Sequence, residues 1–175
     1  MKTIQTKRLL LRPFKYDDAI DINEYASNED VVKYMLFGPN DLSETKDFLT
    51  FVIEKGYKAN PLRLYEYGIE YDNRLVGAVS LNLNESLDSG EIGWILNPLY
   101  QKKGIMIEAA SALVEYAKTE LKIKKIIAHC DCRNVDSYKL MEKLGMKLNT
   151  VTPNVRKDKK NGQYEYDEFE YVLVF

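Results

Sequence analysis

The chain has two cysteines and one histidine among its 175 residues. Together they are too few for a four-ligand zinc site. Cys130 and Cys132 lie two positions apart, so along a strand both point to one face, too close in sequence for an easy disulfide. They read as thiols of a reducing compartment. No apolar run approaches the length that crosses a bilayer. The stretch from Met1 to Leu11 lacks the apolar segment and small-residue cleavage site of a secretory signal, so the expected location is cytoplasmic. No charge sign dominates either: 25 Lys and Arg face 27 Asp and Glu. That balance argues against a broad basic face for nucleic acid. Internal repeats and low-complexity linkers are lacking too, and the length suits one domain over residues 1–175.

What is present is a folded composition, 45% apolar and 30% charged. Arg8 to Arg12 reads as a first strand stopped by Pro13, and no Gly-x-Gly-x-x-Gly follows it, against a Rossmann-type dinucleotide site. Asp17 to Ser27 has the spacing of an amphipathic helix, and Asn28 to Met35 that of a second, short one. Ser43 is placed to cap a third helix running to about Lys55. From Leu64 the period becomes two. Leu64 to Tyr71, Arg74 to Leu83 and Gly90 to Leu96 predict an antiparallel meander, with Asp72-Asn73 as its first turn. A long helical pattern follows, with Ala109, Ala110, Leu113, Val114, Ala117 and Leu121 on one face. Lys124 to Cys132 reads as a strand and Val135 to Leu144 as a helix closed by Gly145. Met146 to Val151 and Glu165 to Phe175 read as final strands around a basic hairpin. The strand–helix–strand passage from Glu91 to Ile126 requires a parallel pair within this α+β order.

The segment Gln101-Lys102-Lys103-Gly104-Ile105-Met106 lies between a strand and the long helix. A loop so placed offers backbone N–H groups at the positive end of a helix dipole, a seat for phosphate. Gly104 allows close approach, and Lys102 and Lys103 add charge. Alone, the segment also fits an ordinary strand-to-helix turn.

Its context resembles the GNAT superfamily of N-acetyltransferases, in particular the RimJ/RimL branch. The resemblance begins at Thr6 to Pro13 and continues through Asp17-Asp18-Ala19, Leu75-Val76-Gly77 and Glu91 to Tyr100. It then takes in Glu108-Ala109-Ala110, Asn134-Val135-Asp136-Ser137 and Glu142 to Met146. It implies the GNAT fold: a mostly antiparallel twisted sheet with a splayed, parallel central pair and helices on both faces. It implies acetyl-CoA as donor, with CoA as product, and no metal. By position, Gln101 to Met106 would be the pyrophosphate loop, although Met106 stands where the family prefers Gly or Ala. Trp94 and Leu96 would offer backbone groups to the pantetheine amides, and Asn134 would hold the pantetheine arm.

The resemblance places Ser137 near the thioester sulfur, with Tyr138 as an alternative acid. Asn134 and Ser137 also suit plain helix capping. Glu91 is the favoured base, acting directly or through water, with His129 and Asp131 as rivals on the next strand. The acceptor is an amine, either a protein N-terminus or a small molecule, and Arg156 to Lys160 could meet an acidic one or be solvated surface. A homodimer is compatible by analogy. A competing reading is an acyl-CoA-binding domain with little catalysis, favoured by Met106 and opposed by Asn134 and Ser137.

Overall fold

The computed structural model describes residues 1–175. Eight strands form one sheet: β1 (Ile4–Gln5), β2 (Leu9–Pro13), β3 (Leu64–Tyr71), β4 (Arg74–Leu83), β5 (Ser89–Leu96), β6 (Lys125–Asp131), β7 (Lys147–Lys157) and β8 (Tyr164–Val174). Their spatial order is β1-β2-β3-β4-β5-β6-β8-β7. Only β5 and β6 run parallel. Five α-helices join them: α1 (Ala19–Ala26), α2 (Glu29–Val32), α3 (Leu42–Phe51), α4 (Ile105–Thr119) and α5 (Val135–Lys143).

The periodicity explains the layers. On one sheet face, Ile105, Ala109, Ala110, Leu113 and Ala117 of α4 are buried against Tyr65, Tyr67, Val79, Leu81, Ile92, Ile126 and Ala128. On the other, Ala19, Ile22, Tyr25 and Ala26 of α1 and Leu49 of α3 enclose Phe14, Leu75 and Ala78. Fully burying one such leucine or isoleucine contributes about 1.5–3 kcal/mol, so these two stripes hold the helices more firmly than propensity does. The β3–β4 turn has positive φ at Asp72 (53°) and Asn73 (59°), the backbone of a two-residue hairpin.

Four expectations need correction. A short strand, β1, precedes the first one read from the sequence and pairs with it. Asp41, not Ser43, caps α3. Its carboxylate accepts the Glu44 N–H at 2.8 Å, while Glu44 accepts the Asp41 N–H at 2.8 Å. The reciprocal box satisfies two orphan donors, and a serine two residues later, already inside the helix, cannot. Helix α2 covers only Glu29–Val32, and a π turn over Val52–Gly56 takes the chain beyond α3.

The basic stretch also differs from solvated surface. Strands β7 and β8 extend well into it, because Arg156 is buried and paired with Glu168 at 2.6 Å. Lys159 donates to three carbonyl oxygens, of Val32, Phe37 and Gly38, at 2.9, 2.5 and 2.9 Å. These charges are used inside the fold, which leaves fewer to meet an acidic partner.

Candidate active site

Strands β5 and β6 pair only at Ser89–Lys125, Gly90–Ile126 and Glu91–Ile127. Beyond that point β5 stays with β4 as far as Leu96, and β6 stays with β8 as far as Asp131. Each follows the twist of its own half of the sheet, so the two part. Every second residue of β5 past Glu91 therefore turns its N–H and C=O toward a gap without a sheet partner. A cleft of about 970 Å³ runs there. Gln101, Gly104, Met106, Asn134 and Ser137 line one part of it, and Phe14, Ile22, Tyr25, Phe48 and Glu66 another.

At the first of these parts the loop before α4 has left-handed backbone at Lys102 (φ 60°) and Gly104 (φ 73°). The first intrahelical bond runs from the Glu108 N–H to the Gly104 carbonyl, 3.2 Å. The N–H groups of Ile105, Met106 and Ile107 thus have no intrahelical acceptor, and no side chain caps them. Such a turn and helix end form an anion seat.

The loop is braced from β2. Arg8 donates to the Lys103 carbonyl at 3.0 Å and to Glu108 at 2.7 Å, and the Thr6 hydroxyl donates to Glu108 at 2.7 Å. Burial acts to raise the Glu108 pKa, but the hydrogen bonds from Thr6 and Arg8 outweigh it and hold the carboxylate below its ordinary value. Sequence reading missed this brace, since its partners are a hundred positions apart.

Of the residues expected at the donor end, Trp94, Leu96, Gln101, Lys102, Gly104, Ile105, Met106, Asn134 and Ser137 line the cleft. Met106 is half-buried and packs against the core below α4. Lys103 lies outside the cleft, its ammonium 5.2 Å from the centre of the Tyr100 ring. The Asn134 side-chain carbonyl accepts the Ser137 N–H at 3.3 Å, so it caps α5 while facing the cleft. Tyr138 does not share that outlook. One residue means a turn of about 100° around a helix. Its ring instead packs edge-on against Phe169, centroids 5.8 Å apart. Lys139 and Lys143, four apart on α5, add two ammonium groups to the lining that sequence reading did not single out, though their spacing signals a shared face.

Glu91 and His129 meet across the gap. His129 Nδ1 lies 2.9 Å from Glu91, and its Nε2 3.3 Å from Glu170. Burial pulls the His129 pKa down, but hydrogen bonding to Glu91 and Glu170 and the charges of Glu91 and Glu168 win, and it is raised. Both Glu91 and His129 line the cleft. Asp131 is instead buried, locked onto Arg133 at 2.7 and 2.9 Å. The guanidinium holds its pKa below the ordinary value against the effect of burial.

A further carboxylate, Glu66 on β3, also faces the cleft. Burial alone pushes it up to about 8, and no cation offsets the cost. The segment over this end, from Lys33 to Asn40, is tied down by Lys159 from the β7–β8 hairpin. We expect Lys159→Met to speed hydrogen exchange at the Met35 and Asn40 amides by roughly tenfold, as local opening gets easier. Unchanged exchange would show that the tie is not what holds the segment.

Comparison with known proteins agrees with this geometry. A sequence model described as acetyltransferase (GNAT) domain matches residues 8–147. The chain is 32% identical over 171 residues to the uncharacterized N-acetyltransferase YnaD of Bacillus subtilis (strain 168), covering 98% of this chain and 96% of that one. A crystal structure of a GNAT-family acetyltransferase from Bacillus anthracis superposes with a TM-score of 0.85 at 30% identity, over 99% and 98% of the two chains. RimL, a ribosomal L7/L12 alpha-N-protein acetyltransferase solved with coenzyme A, shares the fold at a TM-score of 0.87, with 19% identity over 99% and 98%. With a splayed parallel pair, an uncapped α4 start beside it and a family match across most of its length, this chain belongs to the GNAT acetyltransferase family.

Proposed function

We propose that the protein, as one domain over residues 1–175, transfers the acetyl group of acetyl-CoA to a primary amine by direct attack in a ternary complex. The observation that carries this reading is one continuous cleft joining the free N–H groups of α4 to the gap between β5 and β6. The chain's own groups suit the donor. The α4 start and Lys102 suit its pyrophosphate, and the open edge of β5 at Trp94 and Leu96 suits amides that pair as an added strand would. Asn134 faces the same passage.

Two proton movements accompany the transfer. The amine nitrogen bonds to the acetyl carbon, the carbon–sulfur bond breaks, and the departing thiolate gains a proton or hydrogen bond. Ser137, half-buried on the cleft wall, is the group we assign to the sulfur. Glu91 is the base we assign at the rim. It is about half exposed and held by His129, so it can pass a proton to water.

The acceptor is a protein N-terminus, as the likeness to RimL suggests, or a small amine; fold alone does not decide. The test is calorimetric titration with acetyl-CoA, with CoA and NAD as comparisons, followed by turnover. Ser137→Ala should lower kcat by about 100-fold with acetyl-CoA affinity nearly unchanged, the low end of the range for losing one proton donor. Binding of acetyl-CoA without turnover of any amine would favour the acyl-CoA-binding domain instead.

A further inference from the structure

The far end of the cleft holds two polar groups that the protein leaves unanswered. The Tyr25 side chain is only 2% exposed, lines the cleft, and has no hydrogen-bond partner for its hydroxyl. Leaving such a hydroxyl buried and unpaired costs about 1–3 kcal/mol. Close by is the Glu66 carboxylate, near enough that its charge adds to burial in raising the Tyr25 pKa. Glu66 forms no ion pair, and burial raises its own pKa without a compensating partner.

The sheet explains why Glu66 points there, under the α1 helix that carries Tyr25. Glu66 pairs with Ser80 across β3 and β4, and Ser80 pairs with Gly93 across β4 and β5. Cross-strand partners share a face, so Glu66, Ser80 and the bare backbone of Gly93 lie in one row. A Cβ at Gly93 would meet only the Ser80 hydroxyl, at 3.2 Å. The row therefore opens toward the part of β5 that has left β6, and toward the donor.

The remaining lining at this end is apolar. Phe14 and Phe48 pack edge-to-face with centroids 6.0 Å apart, and Ile22 and Ala78 lie beside them. At the mouth, Leu36 and Phe37 are 85% and 46% exposed. No cation is paired with Glu66: among those of the cleft, Arg156 is paired with Glu168. Arg12 is paired with Asp18 and Glu70, and the Tyr57 hydroxyl donates to the Glu66 backbone carbonyl while accepting the Phe14 N–H.

We infer that Glu66 and Tyr25 form the acceptor subsite, which takes a primary ammonium carried on an apolar or aromatic body. The inference rests on the acetyl-transfer reading and names its second substrate. An ammonium entering this pocket supplies the cation that Glu66 lacks and a donor for the Tyr25 oxygen. The ion pair binds the ammonium, and in the low-dielectric pocket its two charges are costly enough that the neutral pair of amine and carboxylic acid lies close to it in energy. Because the empty pocket holds Glu66 protonated below about pH 8, entry of the ammonium first releases that proton to water. One proton then moves from nitrogen to Glu66, which regains its resting form and leaves the nitrogen lone pair free to attack the thioester carbonyl. The second proton leaves after the N–C bond forms and exits past Glu91 to water. Glu66 is thus a further catalytic residue, and Tyr25 a specificity-determining one.

The test uses the full chain with 2-phenylethylamine, tyramine and hexylamine, and with 2-phenylethanol and hexanol as uncharged counterparts. Binding and turnover are followed in the unmodified protein and in Glu66→Gln, Glu66→Asp and Tyr25→Phe. We expect the amines to bind at least about tenfold more tightly than the alcohols, the range for a buried charge-assisted hydrogen bond. Glu66→Gln should remove that preference and flatten the pH dependence of kcat/KM. Glu66→Asp should restore part of it, and acetyl-CoA affinity should stay within about twofold throughout. Amines that bind no better than alcohols, or a preference that survives Glu66→Gln, would overturn the assignment. If the unmodified protein fails to bind acetyl-CoA, the donor reading fails instead, and the amine titration still judges the pocket by itself.

Discussion

Gly104→Trp is expected to lose acetyl-CoA binding by more than about 100-fold, or roughly 2.7 kcal/mol, while the protein remains folded. Position 104 has φ 73°, a conformation that costs an L-residue about 1–2 kcal/mol. It is also the residue from which α4 starts, directly beside the free N–H groups of Ile105 and Met106. A side chain there must either shift the turn or occupy the space where an anion would approach. The fold itself has room, since a Cβ would find only the Arg8 guanidinium, at 3.4 Å. Calorimetry with acetyl-CoA reads the first effect and thermal unfolding the second. Unchanged affinity would show that the donor's phosphates lie elsewhere, and the assignment of the loop would go with it.

Glu66→Gln is expected to stabilise the protein at pH 8 by on the order of 2 kcal/mol, allowing for partial exposure to the cleft, which is about 4–8 °C in Tm for this chain length. The sign follows from linkage. Glu66 has an ordinary pKa of 4.5, raised by burial to about 8 in the fold. Between those values the native state holds a proton that the unfolded chain has released, so stability falls as pH rises. Below pH 4.5 both states are protonated, and glutamine should differ little from glutamic acid. Above pH 8 the full penalty applies to the natural side chain and not to glutamine. Glu108 works in the opposite direction. Its pKa is lowered in the fold, so its contribution is present above the ordinary carboxylate value and fades as pH falls through the lowered one. Urea unfolding of Glu66→Gln and the unmodified chain at pH 5 and pH 8 separates these effects. A gain that is equal at both pH values would mean that Glu66 is not desolvated. A stabilising change that also removes amine binding is the pattern expected when a costly group is retained for its chemistry.

Patterns with local causes were legible before the fold was known. The switch to period two at Leu64 marks β3, β4 and β5 almost residue for residue. The stripe Ala109, Ala110, Leu113 and Ala117 marks the buried side of α4. Gly145, with φ 81°, ends the chain's turn out of α5 as a left-handed residue should. The short strand β1 was not legible, because two residues carry no period. The capping of α3 was misread although its signal, Asp41 followed three residues later by Glu44, was in plain view.

At the site the division is sharper. Gly104, Asn134 and Ser137 could be singled out because each belongs to a local pattern whose order and spacing resemble a family. Tyr138, the alternative acid that the resemblance offers, does not line the cleft, because adjacency in a helix turns side chains apart and its ring packs on Phe169. Glu66 carried no signal: in sequence it is one acid in an alternating strand, like Glu70 four residues on. What separates them is their surroundings. Glu70 meets Arg12 at 2.7 Å, and Glu66 meets nothing.

By itself, then, the sequence determined the order of elements, the parallel crossover from β5 to β6 and the glycine-containing start of α4. These depend on periodicity, turn chemistry and backbone conformation, all set by residues close together in the chain. Only the tertiary structure decided where the strands part, which carboxylates are paired, and that Tyr25 on α1 and Glu66 on β3 share one pocket. Those outcomes depend on burial and on contacts between distant segments, and desolvation has no value until the surrounding fold is in place.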